Sequence, residues 1–133
     1  MDILSLMRGL SVENLAPVYL LHGEEPFLIE RFVEALKAIA VSGPMGSFNY
    51  SRKKASEVTG AQVVAEVKSL PMMAARRLVI VDDVEKLRAA DMEVLAAYLD
   101  GPVTEACLVL IGQKFDLRKG LFKKANGLKM VHR

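Results

Sequence analysis

The residues best placed to do chemistry follow short apolar runs. The first group is His22-Gly23-Glu24-Glu25-Pro26, directly after PVYLL. A phosphate-holding loop at such a position reads GxxxxGK[ST]: free backbone N–H groups, a lysine for the phosphate charge and a hydroxyl for magnesium. The chain has GEEPFLIER instead, without the second glycine, the lysine or the hydroxyl. Glu24 and Glu25 put carboxylates where phosphates would sit, and Pro26 removes an amide donor. Carboxylates at a helix N-terminus stabilise it by about 0.3–1 kcal/mol each and repel a triphosphate. The segment reads as a lost phosphate site around Gly23, Glu24, Glu25 and Pro26.

Asp82-Asp83 ends the run LVIV, as acidic residues do on the magnesium side of many nucleotide hydrolases. Without a phosphate loop a metal–nucleotide complex has nothing to hold it, so both carboxylates are expected to be solvated, or one of them to cap the following turn. A phosphorelay receiver also clusters acids, and Glu24, Glu25 and Asp82 could imitate its pocket. That class needs a hydroxyl at the end of the next strand and a lysine after the last. Here Gly112-Gln113 and a Lys129 inside the final run stand in those places.

The segment Ser69-Leu70-Pro71-Met72-Met73-Ala74-Ala75-Arg76-Arg77 is of another kind. Two adjacent methionines on a short connection suggest an apolar knob, because methionine is flexible and common on surfaces that dock into apolar pockets. The alternative is that both fold onto the core. Neighbours on a tight turn cannot easily both face inward, so at least one is expected outside. The single cysteine, Cys107, lies in CLVLI, and the two histidines, His22 and His132, make a poor case for a catalytic base beside it. A buried structural thiol is expected, with no disulfide, metal or cofactor. Basic residues gather at Arg52-Lys53-Lys54 and at Arg118, Lys119, Lys123 and Lys124, the second set expected on the outer face of its helix opposite Leu121 and Phe122, so no aromatic is presented among the charges for base stacking.

These groups must be positioned by a fold, and the composition allows one. The chain has 133 residues, 52% hydrophobic and 26% charged, enough for a single domain with one core. A net charge of +2 provides no overall field toward nucleic acid. The N-terminal MDILSLMRGL carries Asp2 and Arg8 where a signal peptide would be apolar, and no run approaches the ~20 apolar residues of a membrane span. A soluble cytoplasmic protein is expected.

Pro17–Leu21, Leu78–Val81 and Cys107–Ile111 lack alternation and read as strands buried on both faces. Weaker strands are predicted at Ser47–Tyr50 and Leu128–His132. Between them the 3.6-residue period predicts a helix over Pro26–Ala40, burying Leu28, Phe32, Ala35, Leu36 and Ile39. A second helix starts from a Thr59/Gln62 capping box, buries Val63, Val64, Val67 and Leu70, and stops at Pro71. Further helices are predicted at Ala89–Leu99, at Leu117–Ala125 with Asp116 as cap, and at Asp2–Leu10. Ser42–Ser47 reads as a surface loop. Strand–helix alternation of this kind predicts a three-layer α/β domain with a parallel sheet.

Three stretches, PVYLLHGEEPFLIER, SLPMMAARRLVIVDDVEKL and CLVLIG, in this order and at this spacing, resemble the N-terminal domain of the delta subunit of bacterial DNA polymerase III, from Pro17 to the C-terminus. The resemblance implies an AAA+-type, P-loop NTPase-like fold whose nucleotide site is degenerate at Gly23–Pro26 and Asp82-Asp83. It implies a non-catalytic domain within a DNA-directed DNA polymerase, taking part in clamp loading. It also implies a hydrophobic plug that enters a pocket on the sliding clamp, the beta subunit, and helps open the ring. Here the plug maps to Leu70, Pro71, Met72 and Met73, where family members often carry an aromatic residue in place of Met73. The family's chains continue into a lid domain and a collar domain that joins the other clamp-loader subunits, so residues 1–133 are expected to be a first domain that meets DNA only indirectly or weakly. The competing readings are a nucleotide-binding NTPase or regulator using Asp82 or Asp83 with magnesium, and a DNA-binding face at Arg118–Lys124.

Overall fold

The computed structural model describes residues 2–133. The elements run α1 (Ile3–Arg8), β1 (Val18–His22), α2 (Pro26–Ala40), β2 (Tyr50–Lys54), α3 (Gly60–Val67), β3 (Arg77–Asp82), α4 (Ala89–Tyr98), β4 (Ala106–Gly112), α5 (Gly120–Gly127) and β5 (Val131–His132). Among the described residues the strands form one sheet in the order β2-β3-β4-β1-β5, every pair parallel. The β1-to-β2 connection therefore passes over β4 and β3, and the chain later returns to the far side of β1 with β5.

Because strand side chains alternate, each apolar run feeds two cores. Tyr19, Leu21, Leu78, Ile80, Cys107 and Val109 face α1 and α2, while Val18, Leu20, Val79, Val81, Leu108 and Leu110 face α3, α4 and α5. Three layers result, and the continuous runs are explained: no face of β1, β3 or β4 meets water. Asp2 caps α1, its carboxylate accepting from the Ser5 N–H at 2.8 Å. The Thr59/Gln62 box caps α3 in both directions, at 3.2 and 2.9 Å.

Several expectations shift. The strand predicted at Ser47–Tyr50 is a 3-10 turn at Ser47–Asn49 followed by β2, an edge strand whose polar sequence SRKK carries no apolar signature. Helix α2 is rolled toward Ile29, Val33 and Ala40, which are buried with Phe32 and Leu36, whereas Leu28, Ala35 and Ile39 are only partly covered. Helix α3 ends at Val67, so Leu70 leaves the helical period and stands in solvent instead of extending the buried face. Asp116 does not cap α5. It turns back on Arg118, accepting from its backbone N–H at 3.1 Å, and the helix starts only at Gly120, where φ is 64°. The last strand shrinks to Val131–His132 because Lys129 adopts φ 61° and Met130 still bonds to Ala125 of α5.

Candidate functional site

The C-terminal ends of β1, β3 and β4 meet at a cleft of about 190 Å³ lined by Gly23, Glu24, Asp82, Asp83, Gly112 and Gln113. Parallel sheets of this kind bind their ligands at this end. Only Gly23, Glu24 and Glu25 join β1 to α2, too short a connection to wrap a phosphate group. Glu25 occupies the cap position of α2 without a side-chain hydrogen bond, and Pro26 opens the helix.

One cation already occupies the acidic side of the cleft. Arg52 reaches over from β2, donating from Nε and Nη2 to the Asp82 carboxylate at 2.7 and 3.0 Å, and from Nη1 to Glu30 at 2.9 Å. The hydrogen bonds to Asp82, then those to Glu30, raise the guanidinium's already high pKa. A fixed cation thus sits against the carboxylate that would face a metal ion, so Asp82 is ion-paired and only partly solvated, a pairing that the sequence reading does not anticipate. Asp83 turns the chain at φ 57°, a left-handed conformation that aspartate tolerates. Among the described residues no three His, Cys, Asp or Glu side chains are grouped to hold a metal.

The β4 end is filled from within. One Glu85 carboxylate oxygen accepts the Gln113 N–H at 2.8 Å while the other is buried without a hydrogen-bond partner. His22 accepts the Phe115 N–H on Nδ1 at 3.1 Å, which leaves its ring proton on Nε2. Its ring stacks on Phe115 at 4.7 Å, and Phe115 on Phe122 at 4.4 Å. Burial, aided by the charge of Arg133, holds the imidazole below its usual pKa. Burial likewise pushes the Cys107 thiol up to about 12, so it stays protonated and inert.

At the opposite end of the sheet, before β3, lies the segment Ser69–Arg76. Leu70 is 74% exposed, Met72 47% and Met73 71%, so both methionines face out. Met73 holds φ 55°. The backbone beneath is fixed. Asn49, fully buried, accepts the Met72 N–H and donates to the Met72 carbonyl, both at 2.7 Å. The buried Arg77 guanidinium donates to Ser69 O at 3.1 Å and Phe48 O at 3.2 Å. Sequence reasoning missed Asn49, Arg77 and the pairing of Arg52, because each acts on a segment distant in the chain. The cation at Arg52 was visible, but not its partners.

The basic face near α5 is broken up. Asp116 pairs with Arg118 at 3.0 Å and Lys119 at 3.9 Å, and Asp100 with Lys124 at 2.8 Å.

The strand order and layer arrangement define an AAA+-like parallel α/β domain. The solved DNA clamp loader delta protein of Bacillus subtilis shares this fold at a TM-score of 0.82 and 24% identity, over 98% of this chain and 40% of that one. A gamma subunit-related DNA polymerase III protein of Thermotoga maritima shares it at 0.63 and 17% identity, over 85% and 40%. The family model for DNA polymerase III, delta subunit, matches residues 19–132, and the chain belongs to that clamp-loader family of DNA replication. It is 28% identical over 132 residues to DNA polymerase III subunit delta of Bacillus subtilis strain 168, covering 91% of this chain and 38% of that protein. The chain thus spans about two fifths of the length of its relatives. Among the described residues no helix is long and apolar enough to cross a membrane.

Proposed function

We propose that residues 1–133 are the first domain of a longer delta subunit, acting in the cytoplasm, that docks on the sliding clamp through Leu70, Pro71, Met72 and Met73 and helps open the ring without binding or hydrolysing ATP. The observation that carries the reading is the exposure of three large apolar side chains on one turn whose backbone is anchored from below. A knob whose backbone is already fixed loses little main-chain freedom on binding, which lowers the ordering cost that burial must offset. Two methionines entering an apolar pocket supply about 3–6 kcal/mol before ordering costs. The short β1–α2 loop with Glu24 and Glu25, and the guanidinium against Asp82, support the absence of nucleotide chemistry. The other loader subunits are met through the remainder of a delta chain, and DNA only through them.

The test is binding to a bacterial sliding clamp. Replacing Met72 and Met73 together with serine should abolish binding while circular dichroism stays unchanged; binding that survives refutes the assignment. Calorimetry with ATP and magnesium should give no saturable heat, and micromolar binding would favour a nucleotide-using protein instead.

A further inference from the structure

The docking turn does not stand alone. Asn49 clips Met72 from a position 23 residues earlier in the chain, and its amide also donates to Met45 O at 2.8 Å. Arg77 ties Ser69 to Phe48 through their carbonyls. Gly43, at φ 112°, lets the Met73 carbonyl approach so closely that a Cβ there would stand 3.2 Å from it. The loop that reads as ordinary surface is therefore the bed of the tip, and it places a further apolar group beside it. Phe48 is 51% exposed; the other exposed phenylalanine, Phe27 at 71%, opens α2 at the cleft end of the sheet, and Phe32, Phe115 and Phe122 are buried. The Phe48 ring lies with its centroid 5.4 Å from the Arg77 guanidinium carbon, a cation–π seat that orients the ring in advance.

Charge points the same way. Residues 42–49 and 67–77, which make the bed and the tip, contain no Asp or Glu, although exposed Glu105 lies beside Arg77, whose N–H donates to its carbonyl. Lys68 is exposed beside the turn, and the Arg77 charge is met by carbonyls, with no carboxylate paired to it among the described residues. A partner that fits this end has an apolar pocket with carboxylates at its rim.

We infer that Phe48 is a fourth anchor of the same docking surface, seated by Arg77 and tied to Met72 by Asn49, and that it contacts an acid-rimmed apolar pocket on the sliding clamp. This rests on the clamp-docking reading above and adds a second chain segment to it.

The experiment compares clamp binding by the chain and its Phe48→Ser, Phe48→Leu and Met72→Ser/Met73→Ser variants, at low and high salt, with folding checked by circular dichroism. Phe48→Ser should weaken binding roughly tenfold, chiefly through faster dissociation, while Phe48→Leu restores most of it. Raising salt from about 0.05 to 0.3 M should slow association, as expected for complementary charge. If the methionine pair can be replaced without loss, the docking reading falls and this inference with it. If that replacement abolishes binding but Phe48→Ser stays within about twofold of the unaltered chain, less than 0.5 kcal/mol, the inference alone is overturned.

Discussion

Arg52 grips the carboxylate of Asp82 through two hydrogen bonds of 2.7 and 3.0 Å, although the residues lie 30 positions apart in sequence. The parallel register pairs Lys54, not Arg52, with Asp82, so the guanidinium must run along the sheet toward the cleft to make the contact. It arrives between Asp82 and Glu30 and joins β3 to α2 through β2.

Arg52→Met should therefore leave two carboxylates facing one another without a counter-charge. The expected loss is about 1–3 kcal/mol in urea denaturation, toward the low end because the cluster is partly solvated. Part of that loss should return in concentrated salt, which screens the repulsion. Arg52→Lys should recover only some of the stability, since a single ammonium cannot form the fork that spans both acids. Unchanged stability in Arg52→Met would show the cluster to be energetically idle.

Close packing at two glycines can be tested against open space at a third. A Cβ at Gly60 would stand 2.6 Å from the Asp91 carbonyl oxygen, where α3 meets α4, and one at Gly112 would stand 2.5 Å from Phe115, whose ring is held between His22 and Phe122. Alanine at either position should cost about 1–3 kcal/mol. Gly127, at the end of α5, has nothing within 4 Å. Gly127→Ala should stabilise by about 0.4–1 kcal/mol, by restricting the unfolded chain and favouring the helix. Thermal melts of the three variants give the order directly.

Acid should weaken the fold through His22. Burial lowers its pKa below the ordinary 6.5. The unfolded chain takes up a proton near that value, while the folded chain resists until a lower pH, so between the two the unfolded state binds more protons. Stability is accordingly complete above about pH 6.5 and declines as pH drops toward the folded value. His22→Gln keeps an acceptor for the Phe115 N–H and should flatten this part of the profile. Denaturation at about pH 7.5 and 5.5 compares them; equal losses in both proteins would exonerate His22.

What could be read from the chain alone follows a physical divide. The cores of β1, β3 and β4 announce themselves because strands covered on both faces must be apolar throughout, and α2 because Pro26 and a long amphipathic period mark it. Edge strand β2 is anticipated but placed too early, at Ser47–Tyr50: one side of Arg52, Lys53 and Lys54 needs no burial, so nothing periodic marks its true extent. Leu70 was assigned by period to the buried side of α3, although the resemblance also mapped it to the plug, and only the position where the helix ends separates the two. Leu28 and Ile39 fell on the neighbouring stripe, since a helix with apolar residues on more than a third of its circumference leaves its roll undetermined. The outward methionines were anticipated in part, from the crowding of a tight turn. Asn49 and Arg77 could not be, because a buried amide or guanidinium declares its purpose only when the distant backbone that it holds is in place.

Strand β3 begins at Arg77, under the methionine turn, and ends at Asp82, in the cleft, with β2 and β4 bonded along its two sides. Tension applied to the turn is thus delivered lengthwise into an interior strand, and both flanking ladders resist it together in shear. Had the turn hung from β2 or β5, at the rim, a single ladder would carry the same pull.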